Sequence, residues 1–272
     1  MSSRPDGGGG RTPDGLPPDS VLFGGSAAMQ QLKRSLLRVC AAPVPILFEG
    51  EIGVGKRILA RFVHQNLSAR GDYIAVNCAT LSQDWGLRVV CAALNHGVTS
   101  VARGTPVEDA AGIPTLFLDQ VCDLPARLQG QIANLLADHA DRRANHQEHR
   151  VSRIISASTR NLRREVRKGR FRRDVFDRLG VVTITLPPLR NRMEDLPAIA
   201  SYLRTHYTAQ LGVEDRQFPP DLLARMRAYG WPGNIRELES FVCQYVVEGY
   251  SSWTTLGKAD FANALQLSER VQ

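Results

Sequence analysis

The sequence predicts an α/β fold, a three-layer domain with a parallel sheet, followed by a small all-helical domain. Three observations carry this expectation. Apolar strand-like runs alternate with amphipathic helical patterns from Val21 onward; strand patterns vanish after Pro187 and Pro188; and a glycine-rich loop joins one strand directly to a helix.

In chain order, the first twenty residues are rich in Gly, Pro, Ser and Asp with almost no apolar residues. Such a segment cannot offset the entropy of ordering, so residues 1–20 are expected to be a flexible tail. Met29 to Val39 places Met29, Leu32, Leu36 and Leu37 at helical spacing. PILFEG then reads as a strand and IGVGKRILARFVHQN as a glycine loop entering a helix. YIAVNC and TLFLD are further buried strands, RLQGQIANLLADH a helix, RIISAST a strand, and VVTITLPPL a last strand ended by its prolines. These elements bound the α/β domain at residues 21–188.

Three helical stretches follow, EDLPAIASYLRTHYTAQ, DLLARMRAYG and NIRELESFVCQYVVEG, and define a helical domain over residues 189–249. The last opens with Asn234 and carries Glu237 three residues on, the spacing of a capping box in which each side chain satisfies a free backbone N–H. Residues 250–272 are expected to be a tail with one short helix at most.

Composition excludes several classes. The chain has 272 residues, 43% of them hydrophobic, enough for a substantial core. No apolar run approaches the roughly 18 residues that cross a bilayer, and no secretory leader is visible, so a cytoplasmic location and no membrane partner are expected. The five cysteines are scattered, with no CxxC pair, which argues against a disulfide framework or a zinc site and for reduced core thiols. His139, His146 and His149 have no metal-ligand spacing and read as loop or surface histidines. The net charge is +7, and the segment Arg142 to Arg178 holds thirteen basic residues against Glu148, Glu165, Asp174 and Asp177. That density suits a polyanion such as nucleic acid, and equally a solvated face or a subunit contact.

The chemistry centres on GEIGVGKR, Gly50 to Arg57, which fits G-x-x-x-x-G-K between a strand and a helix. Glycines let the backbone take positive φ and bring N–H groups around phosphate oxygens, while Lys56 reaches the terminal phosphates. A structural turn is the alternative. The residue after the lysine, often a Ser or Thr that holds Mg²⁺, is Arg57. TLFLD delivers Asp119 to the carboxyl end of a buried strand, where sheets of this class bind ligands, and a magnesium role or a helix-capping role follows. The next residue, Gln120, has an amide that orients water but cannot accept its proton near neutral pH.

Several motifs together resemble one family, the AAA+ central domain of sigma-54-dependent transcriptional activators. They are GGSAAMQQL, GEIGVGK, AVNCATL, TLFLDQVCDLP, RIISASTRNL, GRFRRDVFDRLGVVTITLPPLRNRMEDLP and YGWPGNIRELE, in order from about Leu22 to Val247. The resemblance implies a P-loop (AAA+) domain with a helical lid, ATP and Mg²⁺ as cofactors, and a ring of self or related AAA+ subunits. Gly50, Glu51, Ile52, Gly53, Val54, Gly55, Lys56 and Arg57 would then cradle ATP, and Asp119 would serve Mg²⁺. Relatives usually have an acidic residue after the lysine, so Arg57 is a charge reversal.

Asn77 matches the residue that switches the catalytic glutamate, whose place Gln120 takes. Arg172 and Arg178 match the arginine fingers that reach a neighbouring subunit's γ-phosphate. Arg236 matches the lid's sensor arginine, and Thr159 stands where the other sensor is usually an asparagine. Judged alone, Arg236 could simply pair with Glu237 or Glu239.

Where relatives carry the GAFTGA loop that contacts sigma-54, this chain has ALNHGVTSVARGTPVEDAAGIP, with no phenylalanine. Contact with sigma-54 RNA polymerase is therefore an open expectation, and no DNA-binding helix-turn-helix is seen. Three functions remain: a regulator that binds ATP and hydrolyses it poorly, acting by assembly; an active ATPase in which Gln120 positions water; and a non-catalytic module that binds a partner or nucleic acid.

Overall fold

In the computed structural model the described residues are 15–40, 42, 44–67, 70–81, 85–95, 113–144 and 152–248. They belong to two units, one from Arg34–Glu51 and Gly55–Leu186, the other from Met1–Lys33, Ile52–Val54 and Pro187–Gln272.

The first unit is built on five strands: β1 (Ile46–Glu49), β2 (Arg70–Asn77), β3 (Ile113–Asp119), β4 (Arg153–Ser158) and β5 (Val182–Thr185). Their order is β2-β3-β4-β1-β5 and every pairing is parallel. The apolar runs form strands because both sheet faces are covered: all four residues of β1 and all six of β4 are buried. Strand β5 lies at the sheet edge and buries only Ile184 of its four residues below the surface. Its helices are α3 (Lys56–Gln65), α4 (Trp85–Asn95), α5 (Ala126–Ala144), α6 (Leu162–Arg167) and α7 (Arg173–Leu179). Leu116 and Leu118 from β3, Leu128, Ile132 and Leu136 from α5, and Val175 and Leu179 from α7 pack into one core. The buried Glu49 accepts from Leu162 N at 2.8 Å and from Asn161 Nδ2 at 2.7 Å, so an acidic side chain caps α6 from the end of β1.

The second unit carries α1 (Asp19–Leu22), α8 (Leu196–Leu211), α9 (Pro220–Ala228) and α10 (Asn234–Glu248); α2 (Ala27–Cys40) begins in its sequence range. Its core joins Leu196, Ile199 and Leu203 of α8 to Leu222 and Met226 of α9 and to Leu238, Phe241 and Val242 of α10, around the buried Trp231. Trp231 donates its Nε1 proton to the Met226 carbonyl at 2.8 Å, which satisfies the indole inside an apolar cluster.

The glycine loop enters its helix at Lys56, as expected, because positive φ at Gly53 (76°) and Gly55 (104°) keeps the preceding loop non-helical. Other expectations change. The capping box expected between Asn234 and Glu237 does not form, since Asn234 N donates to Trp231 O and Glu237 N to Gly233 O. Glu237 Oε2 accepts from Gly233 N at 2.8 Å, and Asn234 Oδ1 accepts from the distant Leu189 N at 2.7 Å instead of from its own helix. His139 is not a surface residue: it is buried on α5, with Nε2 2.9 Å from the Ser152 carbonyl. His146, His149, residues 1–14 and 250–272 and the segment 96–112 lie outside the described residues, but residues 15–20, expected in the flexible tail, are ordered: Leu16 is buried and Asp19 and Ser20 open α1.

The basic segment is partly structural. Arg153 is buried and donates to the carbonyls of Cys40 (2.9 Å) and Val39 (2.7 Å), while Arg170 forms a two-bond fork on Glu165 at 2.7 Å each. Among the described residues every cysteine is free, with Cys40, Cys78 and Cys122 buried, and no helix is long and apolar enough to cross a membrane.

Candidate nucleotide site

In the sheet unit, the carboxyl ends of β1, β4 and β3 bring together the loop, Thr159 and Asp119. Glu49 is the register partner of Ser158, and Gly50 N donates to Ser158 O at 3.2 Å, which anchors the start of the loop. Gly55, in left-handed conformation, is the N-cap of α3, and the first intrahelical bond runs from Leu59 N to Gly55 O at 3.1 Å. The earlier N–H groups of that turn have no intrahelical acceptor, which is the arrangement that takes an anion. Lys56 is only 8% exposed, and its Nζ donates to the carbonyls of Gly50 and Glu51 at 2.7 Å each. The loop thus folds around its own ammonium group.

Asp119 ends β3 with a buried side chain. Its Oδ1 accepts from Gln120 N at 2.9 Å, and its Oδ2 forms an ion pair with Arg57 Nε. Asn77 is its register partner on β2, so the two occupy adjacent strand ends. Asn77 Oδ1 accepts from Ala79 N at 3.0 Å and caps a short turn. Gln120 takes a left-handed backbone (φ 54°), uncommon for a residue with a side chain. Its carboxamide has no hydrogen-bond partner among the described residues.

Thr159 Oγ1 lies 3.4 Å from Cys122 Sγ. Burial pushes that thiol up, but hydrogen bonds from Ser158, Thr159 and Arg160 outweigh it and hold Cys122 below the usual thiol range. Sequence reading missed this group. Arg160 also donates to the Cys122 carbonyl at 2.8 Å and pairs with Asp123.

Arg172 is the N-cap of α7 and Arg178 lies in its last turn, and both contact Asp174. Arg172 Nη2 lies 2.7 Å from Asp174 Oδ2, and Arg178 Nη1 donates to the Asp174 carbonyl at 3.1 Å. The Arg172 guanidinium holds the Asp174 carboxyl below the usual carboxylate range. Arg172 is exposed, and its backbone N–H is fixed by Gln129 Oε1 at 2.8 Å.

In the helical unit, three successive carbonyls of the loop are held. Ile52 O accepts from Asn234 Nδ2 at 2.9 Å, Gly53 O from Ile235 N at 3.0 Å, and Val54 O from Arg192 Nη2 at 3.0 Å. The motif NIRE therefore supplies a loop clamp, which the local capping spacing did not reveal. Arg236 is exposed and forms no ion pair among the described residues. Glu237 is taken by Tyr229 (2.8 Å) and Gly233, and Glu239 by Tyr207 (2.9 Å).

Magnesium was expected on Asp119, and the residues do not fit it. Mg²⁺ requires oxygen ligands in near-octahedral geometry at about 2.0–2.1 Å. Here one carboxylate oxygen is paired with Arg57, the other accepts Gln120 N–H, and position 57 supplies no hydroxyl. Among the described residues no group of three or more His, Cys, Asp or Glu could hold a metal.

Comparison with known proteins agrees with the fold. Residues 22–185 match the Sigma-54 interaction domain family, and residues 190–270 match the AAA+ ATPase lid domain. The DNA-binding transcriptional regulator NtrC of Salmonella typhimurium is 34% identical over 84% of this chain and 50% of its own length. The nitric oxide reductase transcription regulator NorR1 of Cupriavidus necator is 35% identical over 86% of this chain and 46% of its own. The chain thus spans about half the length of these curated relatives. NtrX from Brucella abortus, solved in complex with ATP, superposes with a TM-score of 0.67 at 30% identity, covering 88% of this chain and 55% of that one. With residues 22–185 matched to that family and a helical unit matched to the AAA+ lid, the chain belongs to the Sigma-54 interaction domain family of AAA+ proteins.

Proposed function

We propose that this chain is an ATP-binding regulatory module of the sigma-54 activator type that holds nucleotide and turns it over poorly. One observation carries the reading: the residue that follows Asp119 at the end of β3 is Gln120, and the family resemblance puts the acid that activates the attacking water at this position. A carboxamide has no useful basicity near neutral pH, and loss of general-base help lowers a rate by about 10² to 10⁴. The cradle does not share that loss. Lys56, Gly53, Gly55 and the open N–H groups of α3 form it without Gln120, and the ATP complex of NtrX supports the same use of this fold.

Regulation then works by assembly. Arg172 is exposed and fixed at its backbone, and it and Arg178 are the groups a subunit would extend to a neighbour's nucleotide. A ring that mixes this chain with intact activator subunits would gain these arginines while losing one hydrolysing site. Whether sigma-54 RNA polymerase is engaged depends on residues 96–112, which lack the phenylalanine of GAFTGA.

The test is Gln120→Glu against the wild type in single-turnover hydrolysis, with ATP affinity measured in parallel. The reading predicts a rate gain on the order of 10²-fold with little change in affinity. An unchanged rate, with the wild type already hydrolysing briskly, would instead favour Gln120 as a water-positioning group in an active ATPase.

A further inference from the structure

We propose that Arg57 takes the place of the divalent cation, so that this chain binds nucleoside triphosphate without magnesium. The proposal rests on the nucleotide reading above and deepens it.

Arg57 Nε is bound to Asp119 Oδ2, which leaves the two terminal NH₂ groups of the guanidinium without a hydrogen-bond partner among the described residues. The Arg57 side chain is 60% exposed while that of Asp119 is 9% exposed, so the carboxylate is sunk at the strand end and the cation stands in front of it. Arg57 is also the second residue of α3, directly beside the loop whose N–H groups face a phosphate. A magnesium ion in this loop class bridges an acidic strand end, a hydroxyl after the lysine and phosphate oxygens. The guanidinium reproduces the first and last of those links by hydrogen bonds, carboxylate on one edge and phosphate on the other.

Charge supports the exchange. Arg57 already neutralises the Asp119 carboxylate, so a divalent cation would have to displace the arginine from it. No hydroxyl at position 57 and no acid at position 120 is available to compensate.

The experiment is a titration of the full chain with ATP, by calorimetry, in excess MgCl₂ and in EDTA, repeated with Arg57→Ser and with Lys56→Ala. For the wild type the dissociation constants in the two buffers are expected to agree within about threefold. Arg57→Ser, which introduces a hydroxyl and frees Asp119, is expected to bind at least about tenfold more tightly with magnesium than without. Wild-type binding that is tenfold or more dependent on magnesium overturns the proposal and leaves the nucleotide reading standing. So does a wild-type-like indifference in a folded Arg57→Ser chain. Absence of ATP binding in both buffers overturns the nucleotide reading, and this proposal with it. The wild-type comparison alone decides the matter if the variant does not fold.

Discussion

Replacing Gly53 by alanine isolates the contact between the phosphate loop and the start of α10. Gly53 sits at φ +76°, and a Cβ there would lie 2.1 Å from the Gly233 carbonyl oxygen, closer than any real carbon–oxygen contact. Two terms add. The left-handed backbone costs a side-chain residue about 1–2 kcal/mol. Relieving the overlap requires backbone to separate from backbone, which breaks the 3.0 Å bond from Ile235 N to Gly53 O and forfeits about 1 kcal/mol more. The sum is about 2–4 kcal/mol of stability. Gly212 is the control, because it has φ +66°, lies in the same unit and would place its Cβ with nothing within 4 Å. Gly212→Ala should therefore cost only the backbone term. Urea denaturation of both variants, followed by circular dichroism, compares them directly. Equal losses for the two substitutions would refute the reasoning, since they would show that the Gly233 contact adds nothing.

Further outcomes follow from other parts of the structure. Lys56→Ala removes a buried ammonium aimed into the loop, and should weaken ATP binding by about 10- to 100-fold, as a charge-assisted hydrogen bond is worth about 1.5–3 kcal/mol; calorimetry reads it. Asp195→Ala leaves Gly25 N, Ser26 N and Ser26 Oγ without the buried acceptor they share at 2.8, 2.8 and 2.6 Å, and should lower stability by about 3–5 kcal/mol in a denaturant melt. Arg172→Ala, at an exposed ion pair, should leave the denaturant melt and ATP binding unchanged, while in mixtures with an intact activator it removes the arginine this chain would offer a neighbouring site and lowers hydrolysis there. Cys122 should be alkylated by iodoacetamide ahead of Cys40 and Cys78: hydrogen bonds hold its thiol low, whereas burial raises the other two, and peptide mapping against pH ranks them.

Much of the fold was legible because it is written in local pattern. ILFE and RIISAS are apolar through their length since both faces of the sheet are covered, and a run of that kind announces a central parallel strand. The glycine loop was legible for a similar reason, as its spacing reflects positive φ within eight residues. Long-range polar pairings were not. Arg57 and Asp119 are 62 positions apart, on elements separated in the sheet order by β4, and no local signal tells an arginine which carboxylate it will meet. Asn234 shows the same limit in reverse. Its spacing from Glu237 suggested a reciprocal cap, but tertiary demand from Leu189 N and Ile52 O took both ends of the amide. His139 and Arg153 looked like surface residues by type, and each is buried because backbone carbonyls await its donors.

The central claim is that this cleft grips ATP and does not spend it. Equilibrium ATP binding and phosphate release, measured on one preparation of the full chain, test that most directly. Saturable binding that Lys56→Ala weakens by about 10- to 100-fold, with phosphate release at background, is the result predicted. Sustained release that disappears in Lys56→Ala, or no uptake of ATP at all, would contradict it.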